Sequence, residues 1–174
     1  MSDAPLFLEA SRLRADFDRV FAEAEPPPSN PGESLLAVEV AGDPYALRLG
    51  DLAFLERGAS PAFLATGAPS FLGLAGLRGE VLPVWDLAGL LGYPVRPLGQ
   101  LWMACSADTP RWAAAFGRFG GLLHASDTEL EPNPGGGPAL VSRFARGICR
   151  ASGVCRPVLD LRLISQAIRE GSKR

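Results

Sequence analysis

One stretch of this chain is written twice. Gly73 to Leu87 reads GLAGLRGEVLPVWDL, and 74 positions later Gly147 to Leu161 reads GICRASGVCRPVLDL. Gly73, Gly79, Pro83, Val84, Asp86 and Leu87 recur as Gly147, Gly153, Pro157, Val158, Asp160 and Leu161. These six identities exceed the roughly one expected from average residue usage over so short a window. A chain copied in this way folds as two similar units, so the fold of one copy constrains the whole.

Each copy carries the signals of a small β unit. An apolar, glycine-punctuated run meets a tight turn at Leu77-Arg78-Gly79, and the β-rich run Val81-Leu82-Pro83-Val84-Trp85 follows. Asp86 then stands where a helix N-cap belongs, ahead of Leu87 to Leu91. The pattern predicts strand, turn, strand, cap and short helix.

The arrangement of Gly73, Leu77-Arg78-Gly79, Pro83-Val84 and Asp86-Leu87 resembles the signature of CheW-like domains, the double-barrel adaptors of bacterial chemosensory arrays. The resemblance runs from Leu35 to Ile168 and includes an opening hairpin (Leu35 to Leu49) and the lead-in Ala68-Pro69-Ser70-Phe71-Leu72-Gly73. In the second copy Ser152 stands where the turn arginine would be. The resemblance implies a mainly β fold of two small five-stranded, SH3-like antiparallel barrel lobes with short helices. It implies a cytoplasmic, non-catalytic adaptor that joins the cytoplasmic tip of a chemoreceptor, a methyl-accepting chemotaxis protein, to the regulatory domain of a CheA-type histidine kinase. The groove between lobes would take the receptor helix and the lobe ends would meet the kinase. Family members carry an acid at the position of Phe54, where it pairs with the turn arginine; here the acid nearest by is Glu56, two residues on. The partner-binding candidates are therefore Arg78, Leu77, Gly79, Glu56 and Phe54, and the structural motif positions are Gly73, Pro83, Asp86, Gly147, Gly153, Pro157 and Asp160. A divergent scaffold of a non-flagellar chemosensory pathway, without ordinary receptor contact, is the nearest alternative.

Composition agrees with a globular chain that neither binds nucleic acid nor inserts into a membrane. Of 174 residues, 47% are hydrophobic and 21% charged, ordinary values for a packed domain. Seventeen Lys and Arg against 19 Asp and Glu, scattered along the chain, leave no basic stripe for phosphates. Three cysteines, Cys105, Cys149 and Cys155, leave one unpaired under any disulfide scheme and fit no zinc spacing. A reducing compartment is expected. The N-terminal MSDAPLFLEASRLRADFD is acidic where a signal peptide is basic, and no apolar run reaches the roughly 18 residues of a spanning helix.

Ahead of the duplicated domain, residues 4–25 read as an amphipathic helix. Leu13, Phe17, Val20, Phe21 and Ala24 recur on one face, and Arg12, Arg14, Asp16, Asp18, Arg19 and Glu23 take the rest. Its apolar stripe has to be covered by its own barrel, by a partner or by a second copy of the chain. Pro26 to Gly32 forms a stiff linker. The expected division is an extension over 1–33 and a domain over 34–170, its second lobe spanning roughly 99–150, with the chain then returning to complete the fold.

Within the domain, Gly42-Asp43-Pro44 is expected to turn the first hairpin, and Leu52 to Leu55 reads as a short helix or strand. Gly58 to Pro69 is a loop rich in small residues. Strands are expected at Gln100 to Ser106, Trp112 to Phe116 and Leu122 to His124, with a turn over Gly117 to Gly121. Asn133 to Pro138 is a loop, and Asp160 caps a final helix through Ile168.

Chemistry-bearing candidates are few. Asp86 and Asp160, equivalent acids in two lobes, invite comparison with an aspartyl hydrolase whose carboxylates share a proton. That chemistry needs a hydroxyl or glycine after the acid; Leu87 and Leu161 offer neither, and helix capping explains both. His124 is the sole histidine, and no serine or cysteine sits in a nucleophile motif. Gly73, Gly76 and Gly79 lack the spacing of a dinucleotide loop. No catalytic, cofactor or metal residue is expected. Arg78 stands out: a planar five-donor fork on a tight turn suits recognition of a carboxylate across an interface.

Overall fold

The structure, a computed structural model, describes residues 32–65, 67–94, 99, 101–133, 135 and 138–171. The expected N-terminal helix and its suggested role in self-association lie outside these residues.

Three hairpins share one kind of turn. Strands β1 (Gly32–Val40) and β2 (Asp43–Arg48) join through Ala41-Gly42, β4 (Phe71–Leu77) and β5 (Glu80–Asp86) through Arg78-Gly79, and β10 (Ala145–Ala151) and β11 (Val154–Leu159) through Ser152-Gly153. Both turn residues have positive φ each time: 56° and 99°, 49° and 84°, 53° and 73°. This backbone matches the right-handed strand twist, and glycine at its second position removes the steric cost there. The first turn is thus Ala41-Gly42, and Asp43 and Pro44 belong to β2. Proline is tolerated at this point because β11 pairs with β2 only at Ala46 and Leu47, so the absent N–H breaks no ladder.

The remaining strands are β3 (Leu52–Arg57), which follows a 3₁₀ turn at Leu49–Asp51, β6 (Trp102–Ser106), β7 (Ala113–Phe116), β8 (Arg118–Ser126) and β9 (Leu130–Pro132). Helices α1 (Leu87–Leu90), α2 (Ala139–Phe144) and α3 (Leu161–Gly171) complete the described chain. Leu52 to Leu55 is therefore strand. Only Gly117 separates β7 from β8, in place of the expected turn over Gly117 to Gly121. Val141 to Phe144 is helical, and the last helix runs to Gly171.

Two sheets form, ordered β8-β1-β2-β11-β10-β9 and β3-β6-β7-β5-β4. The fold is mainly β, as the sequence suggests, but the first sheet has six strands. The lobes also divide the chain differently from a second lobe at 99–150. One lobe is the continuous block β3 to β7; the other combines β1 and β2 with β8 to β11. Each repeat gives its opening hairpin to one lobe and its later strands to the other. Residues far apart in sequence make this pairing, so the local signals that marked the strands could not reveal their partners.

The duplication holds in register. Leu74 faces Pro83 as Ile148 faces Pro157, and both hairpins slip by one residue at the same place, Phe71/Gly73 and Ala145/Gly147. A Cβ on Gly73 would collide with the Ala62 carbonyl, and one on Gly147 with the Glu131 carbonyl. Those carbonyls belong to equivalent neighbours, since Ala62 bridges Leu74 and Glu131 pairs with Ile148. Both motif glycines are required by close backbone approach.

Each lobe has its own core, and a third lies between the sheets. Leu77, Leu82, Val84, Met103 and Cys105 fill one lobe, and Leu35, Ala46, Cys149 and Val158 fill the other. Alternate residues of the same strands, Leu36, Val38, Tyr45, Ala104 and Phe116, meet Leu87, Phe144, Leu161 and Ile164 between the sheets. Strands β1, β2, β6 and β7 are thus covered on both faces. That explains the unbroken run Ala113-Ala114-Ala115-Phe116, all buried.

The two cap aspartates differ in one respect. Asp160 accepts from the Arg162 and Leu163 N–H groups and from Arg146 Nε at 2.6 Å. Asp86 accepts from the Ala88 N–H at 3.0 Å, but its second oxygen is buried without a partner, because Leu72 stands where the second copy has Arg146. Burial raises the Asp86 pKa, opposed by the Ala88 and Gly89 N–H groups. A raised native pKa means that the folded state holds the proton more readily, so Asp86 costs stability as pH climbs from the ordinary carboxylate range through its raised value. At pH 7, Asp86→Asn should therefore lose less than about 1 kcal/mol, and Asp160→Asn, which strips a charged hydrogen bond, roughly 1–3 kcal/mol. Denaturant unfolding measures both, and the Asp86→Asn variant should gain on the parent from pH 4 to pH 7. Equal losses at pH 7 would contradict the assignment.

Candidate functional site

The tip of the β4–β5 hairpin places an arginine where the other two hairpins have Ala41 and Ser152. Arg78 adopts φ 49°, a conformation that costs a side chain with a Cβ on the order of 1 kcal/mol. Its guanidinium carbon lies 4.5 Å from the centre of the Phe54 ring, and its Nε is 3.6 Å from Glu56 Oε2. Because β3 is a strand, residues two apart share a face, so Phe54 and Glu56 reach the arginine together. Phe54 departs from the family position, but Glu56 supplies the acid, and Arg78 is stacked and paired.

These contacts close a seam. β3 and β4 are the two end strands of their sheet, and Arg78 spans from one to the other. Yet the Arg78 side chain stays 60% exposed, so the ion pair is worth about 0–1 kcal/mol and the ring contact roughly 0.5–1 kcal/mol. Set against the backbone cost, the sum is near zero. Stability does not account for an arginine here, whereas an anchored, outward guanidinium suits an anionic partner.

Beside this tip lies an apolar surface that the sequence did not single out. Ala62 bridges Leu74 and so sets Phe63 and Leu64 against the outer edge of β4. Phe63 is 80% exposed and Val81 71%, with Leu64 and Leu74 also open to solvent. Two large apolar residues inside a loop of small ones were the available signal. Single exposed hydrophobics need no explanation, but a contiguous group does.

A second surface lies where the lobes meet. The Trp102 and Phe119 rings touch across the lobes, centroids 5.1 Å apart, and the Arg57 guanidinium lies 5.2 Å over Trp102. Leu55 on β3 packs beside them, and Leu122 on β8 is exposed. β3 and β8, which carry Leu55 and Leu122, are the end strands of their respective sheets.

Residues weighed for catalysis are not assembled. Asp86 and Asp160 are each hydrogen-bonded within their own repeat, which leaves no shared proton to form a dyad. Burial pushes the Cys105 thiol up to about 12 and raises that of Cys149, so neither provides a thiolate. His124 sits on β8 opposite Ser34, exposed. Among the described residues, no three His, Cys, Asp or Glu side chains come together as a metal site, and no helix is long and apolar enough to cross a membrane.

The family model for the CheW-like domain matches residues 26–169. The chain belongs to the CheW-like family. A chemotaxis protein CheW of Rhizobium meliloti (strain 1021) is 27% identical over 138 residues, which cover 76% of this chain and 88% of that protein. The crystal structure of the scaffolding protein TtCheW from Thermoanaerobacter tengcongensis superposes with a TM-score of 0.69 at 16% identity, over 77% of this chain and 92% of that one. The likeness to TtCheW concerns the fold. Family membership makes this a CheW-like scaffold protein of chemotaxis.

If Arg78 is not kept for stability, a residue that favours its backbone should replace it without loss. Arg78→Asn is expected to leave the unfolding free energy within about 0.5 kcal/mol of the parent, or above it, since asparagine tolerates positive φ. A loss above about 1.5 kcal/mol in denaturant unfolding would show that the seam contacts matter to the fold.

Proposed function

We propose that this CheW-like chain couples the cytoplasmic tip of a chemoreceptor to the regulatory domain of a CheA-type histidine kinase, making and breaking no bond. The observation that carries this reading is Arg78, fixed by Phe54 and Glu56 and mostly exposed, with no net stabilising role. The receptor helix would lie along the edge strand β3, its acidic side chains reaching Arg78 on one face of that strand and Arg57 on the other. Apolar residues at helical spacing would rest on Trp102, Phe119 and Leu122. The kinase domain would meet the lobe end at Phe63, Leu64 and Val81, a surface of the kind that partners cover. With Glu56 on Arg78, the change at Phe54 gives no reason to expect that receptor contact is lost.

Co-purification with a receptor-tip fragment and a kinase regulatory domain separates the two surfaces. Arg78→Asn is expected to lower receptor recovery about tenfold, the roughly 1.4 kcal/mol of one charged hydrogen bond, and to leave kinase recovery intact. Phe63→Asp should do the reverse. Equal recovery of both partners by both variants would overturn the assignment.

A further inference from the structure

The two lobes share a hairpin but not a surface. Residues paired across a ladder lie on one face of their sheet. In the first copy Ala62, Leu74 and Pro83 form such a row, with Gly76 and Val81 paired beside it, all on the solvent-facing side. The matching registers put Glu131, Ile148 and Pro157 in the same row of the second copy, with Arg150 and Cys155 beside it.

The chemistry at these places differs. Ala62 and Gly76 project almost nothing from the sheet, so Leu74 and Val81 stand clear next to Phe63 and Leu64. Glu131 and Arg150 stand in their positions in the other lobe. Arg150 Nε lies 3.1 Å from Glu131 Oε2, a pair set diagonally across the β9–β10 ladder with both side chains about half exposed. Val81 has become Cys155, and Glu131 is followed by Pro132 and Asn133 where Ala62 is followed by Phe63 and Leu64. An apolar partner laid on this second surface would take both charges out of water, and the cost of that desolvation can exceed what the pair returns. Strand β9 is also short, ends its sheet and closes on a proline, which are the features that keep a sheet edge from acquiring another strand.

We infer that the chain engages one kinase regulatory domain, through the lobe of β4 and β5 alone, and that the matching surface of the other lobe stays in water; this rests on the apolar surface at Phe63, Leu64 and Val81 being the kinase contact. Duplication offers two like faces, and the Glu131–Arg150 pair closes one of them. The scaffold is then monovalent toward the kinase. It joins a single kinase domain to a receptor and does not bridge two kinase domains through its two lobes.

Titration calorimetry of the full chain with the kinase regulatory domain counts the sites, and light scattering with the domain in excess gives the mass of the complex. One domain per chain is expected, at the mass of one chain plus one domain. Phe63→Asp should weaken this binding about tenfold or more and uncover no second site, whereas Glu131→Ala/Arg150→Ala should stay within about twofold of the parent. All three positions are at the surface, and undiminished recovery of the receptor-tip fragment by both variants shows that they remain folded. Two domains per chain, or a site lost with Glu131→Ala/Arg150→Ala, overturns the inference and leaves the kinase as a partner. A single site that Phe63→Asp leaves intact lies elsewhere on the chain and overturns it as well. A parent chain that binds no kinase domain removes the kinase contact itself, and the inference with it.

Discussion

The fold depends on four backbone ladders that cross between the repeats. A single repeat brings hairpins whose outer strand edges need hydrogen-bonding partners, and it cannot supply them. The second copy supplies them: β7 lies parallel to β5, and β2 parallel to β11, at matching positions in each sheet. Two antiparallel ladders, β3 with β6 and β1 with β8, finish the lobes on their other side. Neither lobe is then a self-contained domain, and the core between the sheets, from Leu36 to Ile164, binds both into one unit.

Such a scaffold presents surfaces to other proteins. Several of the residues that could carry chemistry are committed to structure: two aspartates cap helices, and Cys105 and Cys149 are buried. Among the described residues, the exposed features include an arginine-bearing hairpin tip, an apolar surface beside it and the contact of Trp102 with Phe119 between lobes. The tip is informative because its energies nearly cancel. A strained arginine, one weak ion pair and one ring contact sum to little, so the residue is understood through what its guanidinium presents outward.

Much of this was legible in the sequence because the signals are local. Hairpin turns announce themselves as a residue followed by glycine between β-rich runs, and Asp86 and Asp160 mark helix starts. The repeat offset also predicts equivalence at Gly73 and Gly147, which the carbonyls of Ala62 and Glu131 enforce. Partition between lobes was not legible, since Trp85 pairs with Ala114 and Leu159 with Leu47 over long separations. Strand β9, three residues ending in proline, carries too little pattern to announce a sixth strand. The partner of Arg78 was hidden for a related reason: only once Leu52 to Arg57 is known to be extended do Phe54 and Glu56 point the same way.

The central claim is that two intertwined repeats make one cooperative scaffold, and native-state amide hydrogen exchange tests it most directly. Amides of β2 and β11 in one lobe and of β5 and β7 in the other should exchange with a single opening free energy, equal to that of global unfolding. Two separate values, one for each lobe, would contradict the account.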